Sequence, residues 1–173
     1  MRLDLGRVRS PYEHIDRRYA PEAFAADADT FVVVEPVVLS FDIHKANTQY
    51  RLDGVVTTTL EVPCSRCLEP FAIPVEASFD LRYFPQSSNA GEGEREIEED
   101  DLGTAFYDHD EIDLGQLMRE QFYLAMPMKP LCREDCAGLC PECGINLNKG
   151  ACGCKREWED PRFAALKALK KDS

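Results

Sequence analysis

Eight cysteines carry the clearest chemical signal in this chain of 173 residues. They fall into four short pairs, Cys64-x2-Cys67, Cys132-x3-Cys136, Cys140-x2-Cys143 and Cys152-x-Cys154. Spacings this short let one segment offer two thiolates to a tetrahedral ion about 2.3 Å from each sulfur. Glycines stand where such a knuckle turns. Gly144 follows Cys143, where a positive φ aims backbone N–H groups at sulfur, and Gly150 and Gly153 flank the last pair. The expected cofactor is Zn²⁺, as one or two structural ions. Keeping each pair intact leaves three ways to form two quartets. Local closure favours Cys140, Cys143, Cys152 and Cys154 as the first site. Cys64, Cys67, Cys132 and Cys136 then form the second and less certain one. A single site with spare buried thiols, or no metal at all, stays open at this stage. A structural zinc contributes about 10–16 kcal/mol of apparent binding free energy, comparable with a whole domain's stability, so residues 130–156 are expected to fold around it.

Catalytic readings fare less well. His14, His44 and His109 are dispersed, and no H-E-x-x-H, phosphate-binding loop or nucleophile elbow is present. All-cysteine quartets are closed, whereas catalytic zinc keeps an open position. Cys64-Ser65-Arg66-Cys67 matches a dithiol redox motif only superficially, because that chemistry needs a helix N-terminus and this sequence puts Pro63 and strands around it. The expectation is a protein that is not an enzyme.

The elements that must position the cysteines are mostly strands. Val37, Leu39, Phe41 and Ile43 alternate onto one face, as do Tyr50, Leu52, Gly54, Val56, Thr58, Leu60 and Val62, and again Phe71, Ile73, Val75, Ala77, Phe79, Leu81 and Tyr83. Three consecutive period-2 runs predict an antiparallel sheet with one buried face, Asn47 in the first connection and Cys64–Cys67 at the tip of a hairpin. Alternation leaves open whether the sheet closes into a barrel. Before it, Leu3 and Leu5 read as a short strand, Ser10-Pro11 opens a polar stretch, and a helical turn is expected near Pro21–Phe24. Residues 113–126 read as a helix capped by Asp113 and Gln116, with Leu114, Leu117, Met118, Phe122 and Ala125 as its apolar stripe. Asp160-Pro161 starts a second helix carrying Phe163, Leu166 and Leu169. The fold class is therefore α+β: an antiparallel β core with two or more helices and a zinc-stabilised C-terminal segment. Residues 1–126 form the core, including the acidic loop 86–103 and the helix 113–126. Residues 127–173 form the cysteine-rich segment and C-terminal helix, packed on that core.

Charge bounds the partners. Twenty Lys and Arg against 32 Asp and Glu give a net charge of −12. That opposes broad capture of nucleic acid, whose sequence-independent affinity comes from neutralising phosphates. Residues 155–173 reverse the sign, and Lys155, Arg156, Trp158 and Arg162 are the candidate RNA or partner contacts; the blander account is a solvated amphipathic helix. No run approaches the roughly 20 apolar residues of a membrane helix, and Met1–Arg7 has no apolar leader core, so a cytoplasmic location and reduced thiols are expected.

An ordered set of motifs resembles the YceD family in its cysteine-rich version. These are Leu60–Phe71 with Cys64-Ser65-Arg66-Cys67, an acidic linker, Ile112-Asp113-Leu114 leading to Gln121 and Leu124–Pro127, Pro130–Gly144, Asn146–Asn148, Cys152-Gly153-Cys154 and Asp160–Leu166. The resemblance runs from about residue 30 onward. It implies a bacterial or organellar protein needed for accumulation of large-subunit ribosomal RNA, in a family whose gene often neighbours one for a large-subunit ribosomal protein. It supplies no catalytic residues. The expected role is ribosome biogenesis, through binding a ribosomal protein, a pre-ribosomal particle or rRNA. The alternatives are a redox-switched zinc chaperone, since the pair types of Cys140–Cys154 suit a peroxide-sensitive zinc site, and a zinc-ribbon adaptor that binds nucleic acid.

Overall fold

The computed structural model describes residues 1–27, 30–88 and 103–154. Strands dominate: β1 (Arg2–Asp4), β2 (Tyr12–Tyr19), β3 (Val32–Val33), β4 (Val37–Ala46), β5 (Gln49–Pro63), β6 (Pro70–Pro85), β7 (Thr104–Tyr107) and β8 (Glu111–Asp113), followed by one α-helix, α1 (Leu114–Ala125). Three short 3₁₀ turns, Leu5–Arg7, Pro21–Asp27 and Gln86–Ser88, punctuate the chain.

The main sheet runs β2-β4-β5-β6-β7, with β3 added to β5, while β1 and β8 pair separately. Neighbours are antiparallel except β6 and β7, which are parallel. Parallel pairing requires a long connection, and residues 86–103 separate the two strands in sequence. The sheet is therefore mixed, not purely antiparallel, and it does not close: β2 and β7 end the path. Two or more helices are not supported among the described residues, where α1 is the one α-helix. The proposed second helix, Lys155, Arg156, Trp158, Arg162 and most of the acidic loop lie outside the described residues.

Alternation explains the core. The inward residues of β4, Val37, Leu39, Phe41 and Ile43, are essentially inaccessible, as are Leu52, Val56, Leu60 and Val62 of β5. They meet Leu114, Leu117, Met118 and Phe122 from α1, with the Phe24 ring tilted and the Phe31 ring edge-on against Phe122, centroids 5.6 and 5.8 Å away. Ala125, placed on the same stripe by periodicity, is exposed at the last turn, and buried Gln121 takes part in the inner face instead. Asp113 caps α1 by accepting from the Gly115 and Gln116 N–H groups at 2.8 and 3.2 Å. The reciprocal half of the capping box is missing, because Gln116 turns its amide to Glu120. Asp113 itself closes β8, opposite Arg2.

The polar stretch after Ser10 proved to be strand β2, an edge strand with charges on both faces. Charged edges resist unwanted pairing, and the same charges hide the strand from hydrophobic pattern. The β4–β5 turn is Asn47-Thr48, with Asn47 at φ 57. In β5, Gly54 lies between Phe41 and Phe79 in register, and a Cβ there would fall 2.4 Å from the Phe41 Cβ. What matters for function is the β5–β6 hairpin, whose strands pair as far as Pro63↔Pro70 and hold residues 64–69 at the end of the sheet.

Candidate metal centres

Two knuckles of the same design carry the first thiols of each quartet. In the hairpin loop the Cys64 N–H donates to the Glu69 carbonyl and the Leu68 N–H to the Cys64 carbonyl, both at 2.9 Å. In the downstream segment the Cys140 N–H donates to the Ile145 carbonyl at 2.8 Å and the Gly144 N–H to the Cys140 carbonyl at 2.9 Å. The residue after the second cysteine is left-handed in both, Leu68 at φ 60 and Gly144 at φ 73. Gly144 was legible from sequence; Leu68, a residue that adopts this region at a cost, was not.

The structure gathers Cys64, Cys67, Cys132 and Cys136 into one group and Cys140, Cys143, Cys152 and Cys154 into another, with all sulfurs of a group within 4.8 Å of one another. These are the two quartets favoured by local closure. In the hairpin quartet, Cys64 Sγ lies 3.8 Å from Cys136 Sγ and Cys67 Sγ 3.8 Å from Cys132 Sγ. A tetrahedron with Zn–S bonds of about 2.3 Å has an edge of about 3.8 Å, which these two separations match. Cys64, Cys67 and Cys136 are buried and Cys132 is exposed, while the downstream quartet buries Cys140 alone and leaves Cys143 and Cys154 exposed.

Electrostatics point the same way. Backbone N–H groups of Cys132 and Cys67 bring the Cys64 thiol down to about 6, and those of Cys143 and Glu142 do the same for Cys140, also to about 6. Cys136 is lowered first by the Asn148 amide, whose Nδ2 donates to its sulfur at 3.3 Å. Burial, then the neighbouring sulfurs, pushes Cys132 up to about 12; the Cys143 sulfur pushes Cys154 up to about 12. Each quartet thus favours some thiolates at its neighbours' expense, as four negative sulfurs must without a cation among them. A divalent ion removes that conflict. All-thiolate tetrahedral sets suit zinc or iron and leave no open position for substrate.

Around the sulfurs lie residues that sequence reasoning missed. Arg66, between the first two cysteines, donates through its guanidinium to the Glu134 and Cys136 carbonyls at 3.2 and 2.9 Å. Its own carbonyl accepts the Leu139 N–H at 3.1 Å. The Ser65 N–H reaches the Pro130 carbonyl at 2.8 Å, and Lys149 pairs with Glu69. The hairpin loop and the segment after α1 are therefore sewn together by main-chain groups as well as by the quartet. Only the motif Cys-x-Arg-Cys itself hinted at this, because a long donor between two ligands can reach the facing strand. The histidines take no part: His14 bonds Asp42 at 2.7 Å and His44 packs on Tyr12, both on the outer face of the sheet, while His109 pairs with Asp108.

Comparisons with known proteins place this architecture. The family model described as "Large ribosomal RNA subunit accumulation protein YceD" matches residues 52–170, from β5 through both quartets. An Arabidopsis thaliana protein named large ribosomal RNA subunit accumulation protein YCED homolog 1, chloroplastic, is 27% identical over 98% of this chain and 59% of its own length. Its Zea mays namesake is 32% identical over 69% of this chain and 49% of its own. An uncharacterized protein of Mycobacterium tuberculosis is 36% identical, covering 96% of this chain and 79% of the relative. The chain thus spans about half to three fifths of the plant relatives. No solved structure matches. Among the described residues no helix is long and apolar enough to cross a membrane. With a family match covering more than half of the sequence and both cysteine quartets, the chain belongs to the YceD family.

Proposed function

We propose that this protein supports accumulation of large-subunit ribosomal RNA as a non-catalytic binding factor, with two structural Zn²⁺ ions holding its C-terminal segment to the sheet. The observation that carries the reading is the coincidence of the family match with the two closed quartets: residues 52–170 contain every cysteine. Closed all-thiolate sites build surfaces and leave no coordination position for turnover. The net charge of −12 makes a basic partner the natural one, so a large-subunit ribosomal protein or a pre-ribosomal particle in the cytoplasm is the proposed target. Sedimentation of a lysate through a sucrose gradient, probed for this chain at low and moderate salt, tests it together with deletion of the gene. Co-migration with immature large subunits and a fall of large-subunit against small-subunit rRNA are expected. Unchanged rRNA levels in the deletion strain overturn the reading.

One observation favours a second reading. Exposed Cys143 and Cys154 make the downstream quartet open to oxidants, which suits a peroxide-switched chaperone. Mild peroxide that releases zinc and creates client binding supports that reading; zinc retained through the treatment rejects it.

A further inference from the structure

Resting on the metal reading above, the geometry points to a second property: the two quartets load metal cooperatively, and Asn148 is the positioning residue that couples them. Only three residues separate Cys136 of one quartet from Cys140 of the other. The chain between and beyond them folds back on itself, with Leu147 N–H on the Gly138 carbonyl at 2.9 Å and a bridge between Leu139 and Asn146. The tip of this loop is the Cys140–Gly144 knuckle, which belongs to the downstream quartet. Its base presents Asn148 to the hairpin quartet.

Every polar atom of the Asn148 amide is engaged there. Oδ1 accepts from the Ala137 N–H at 2.8 Å and from Arg133 at 2.7 Å. A main-chain N–H can only donate, so the oxygen must face it and Nδ2 must face the sulfur. Nδ2 donates to Cys136 Sγ at 3.3 Å and to Asn146 Oδ1 at 2.9 Å. Asn146 Oδ1 also takes the Asn148 N–H at 3.0 Å, while Asn146 Nδ2 is buried with no partner among the described residues.

An ion in the downstream quartet fixes both arms of the loop, from Cys140 to Cys154. That fixes Asn146 and Asn148, and so the N–H···S bond that steadies the Cys136 thiolate. By linkage the effect is reciprocal: an ion on Cys136 orders the base of the loop and lowers the cost of closing its tip. Outer partners of metal ligands typically change affinity about 10–100-fold, the scale required here.

Cobalt titration of the full chain against a competing chelator, read by the thiolate-to-cobalt charge-transfer band, tests the coupling. Cys143→Ser/Cys154→Ser leaves the hairpin quartet alone, and Cys64→Ser/Cys67→Ser leaves the downstream quartet alone. The product of the two association constants of the wild type is expected to exceed the product from these two variants by roughly 5–150-fold, the usual range of such coupling. Asn148→Asp keeps the oxygen that serves Ala137 and Arg133 but removes the donor to sulfur. It should bring that ratio to unity and shift the band of the hairpin quartet to longer wavelength, with the far-ultraviolet circular dichroism retained. A wild-type ratio of one overturns the coupling, and a raised ratio that survives Asn148→Asp overturns the role of Asn148. A wild-type chain that binds no cobalt overturns the metal reading itself, a result distinct from both.

Discussion

Gly138 and Gly144 form a matched pair that isolates how firmly the cysteine loop is docked on the sheet hairpin. Both have φ +73. An alanine in this left-handed region costs about 1–2 kcal/mol, and that cost is common to Gly138→Ala and Gly144→Ala. The surroundings differ. A Cβ on Gly144 meets nothing within 4 Å, whereas one on Gly138 lies 3.1 Å from the Arg66 carbonyl oxygen and 3.3 Å from its Cβ. That oxygen accepts the Leu139 N–H, so relieving the contact lengthens a hydrogen bond worth about 0.5–1.5 kcal/mol net. Gly144→Ala should therefore lose about 1–2 kcal/mol. Gly138→Ala should lose about 1 kcal/mol more, a further factor of roughly five in the opening equilibrium. Urea unfolding of zinc-loaded protein, followed by circular dichroism, gives the stability difference, and zinc release to a chromophoric chelator gives the local one. Equal losses, or a larger loss for Gly144→Ala, would show that the loop does not lean on Arg66 and would remove the physical basis for joining the two quartets.

Two further outcomes are expected. Phe122→Ala removes a fully buried ring that packs on Phe24 and Phe31, and should cost about 3–5 kcal/mol with a matching fall in melting temperature; a loss under 1 kcal/mol would mean that α1 does not close the core over the sheet's buried face. His14 and Asp42 should titrate as partners: the Asp42 hydrogen bond raises His14 above 6.5, and the His14 bond, then Tyr12, lowers Asp42 below 3.8. A raised histidine contributes below its unfolded value and is lost as pH climbs through the folded one; a lowered aspartate contributes above its unfolded value and is lost as pH falls through the folded one. The pair is thus fully formed between about pH 4 and 6.5. Nuclear magnetic resonance titration of the His14 ring should show its midpoint dropping in Asp42→Asn, and an unmoved midpoint would refute the pairing.

How far the sequence revealed this arrangement depended on whether a residue's role repeats along the chain. Tyr50 to Val62 and Phe71 to Tyr83 alternate, so their shared buried face and the loop carrying Cys64 and Cys67 were legible. Short spacing and local closure pointed to Cys140, Cys143, Cys152 and Cys154 as one group, whereas Cys64 and Cys67 with Cys132 and Cys136 followed only as the remainder, and the folded chain was needed to bring those two pairs together. Strand β2 was not, since Glu13, Asp16, Arg17 and Arg18 break alternation along an edge that has little to bury. The parallel strand β7 follows an acidic stretch without period, and nothing local to Thr104–Tyr107 announces its neighbour. Asn148 and Arg66 escaped for another reason. A single amide or guanidinium that reaches across to another segment leaves no periodic trace, and only the folded chain shows which sulfur or carbonyl it meets.

The geometry of the hairpin gives the proposed ion a structural purpose at its tip. Strand β4 accompanies β5 only from Ala46↔Gln49 to Val38↔Thr57, and β3 adds Val33↔Leu60 and Val32↔Glu61. Beyond that, among the described residues, Val62↔Phe71 and Pro63↔Pro70 pair only with each other; Val62 and Phe71 still reach the edge of the main core, and past Pro63 and Pro70 that support ends. A bare two-stranded ribbon is marginal in water. What lies at its end is a small separate cluster, Cys64, Cys67 and Cys136 with Phe71 and Leu131 against them, too small to act as a core. The proposed metal ion would tie the loop down where burial thins out, and the downstream quartet, local to residues 140–154, would have no such duty toward the strands. At saturating zinc, Cys64→Ser should therefore speed hydrogen exchange of the backbone amides of residues 60–72 while those of residues 50–56 stay protected within the broad sheet. Cys143→Ser should leave both stretches protected. Exchange that rises equally along the whole of β5 would mean that the ion supports the entire fold. No change anywhere would mean that the ribbon holds itself, and that the hairpin quartet serves something other than stability.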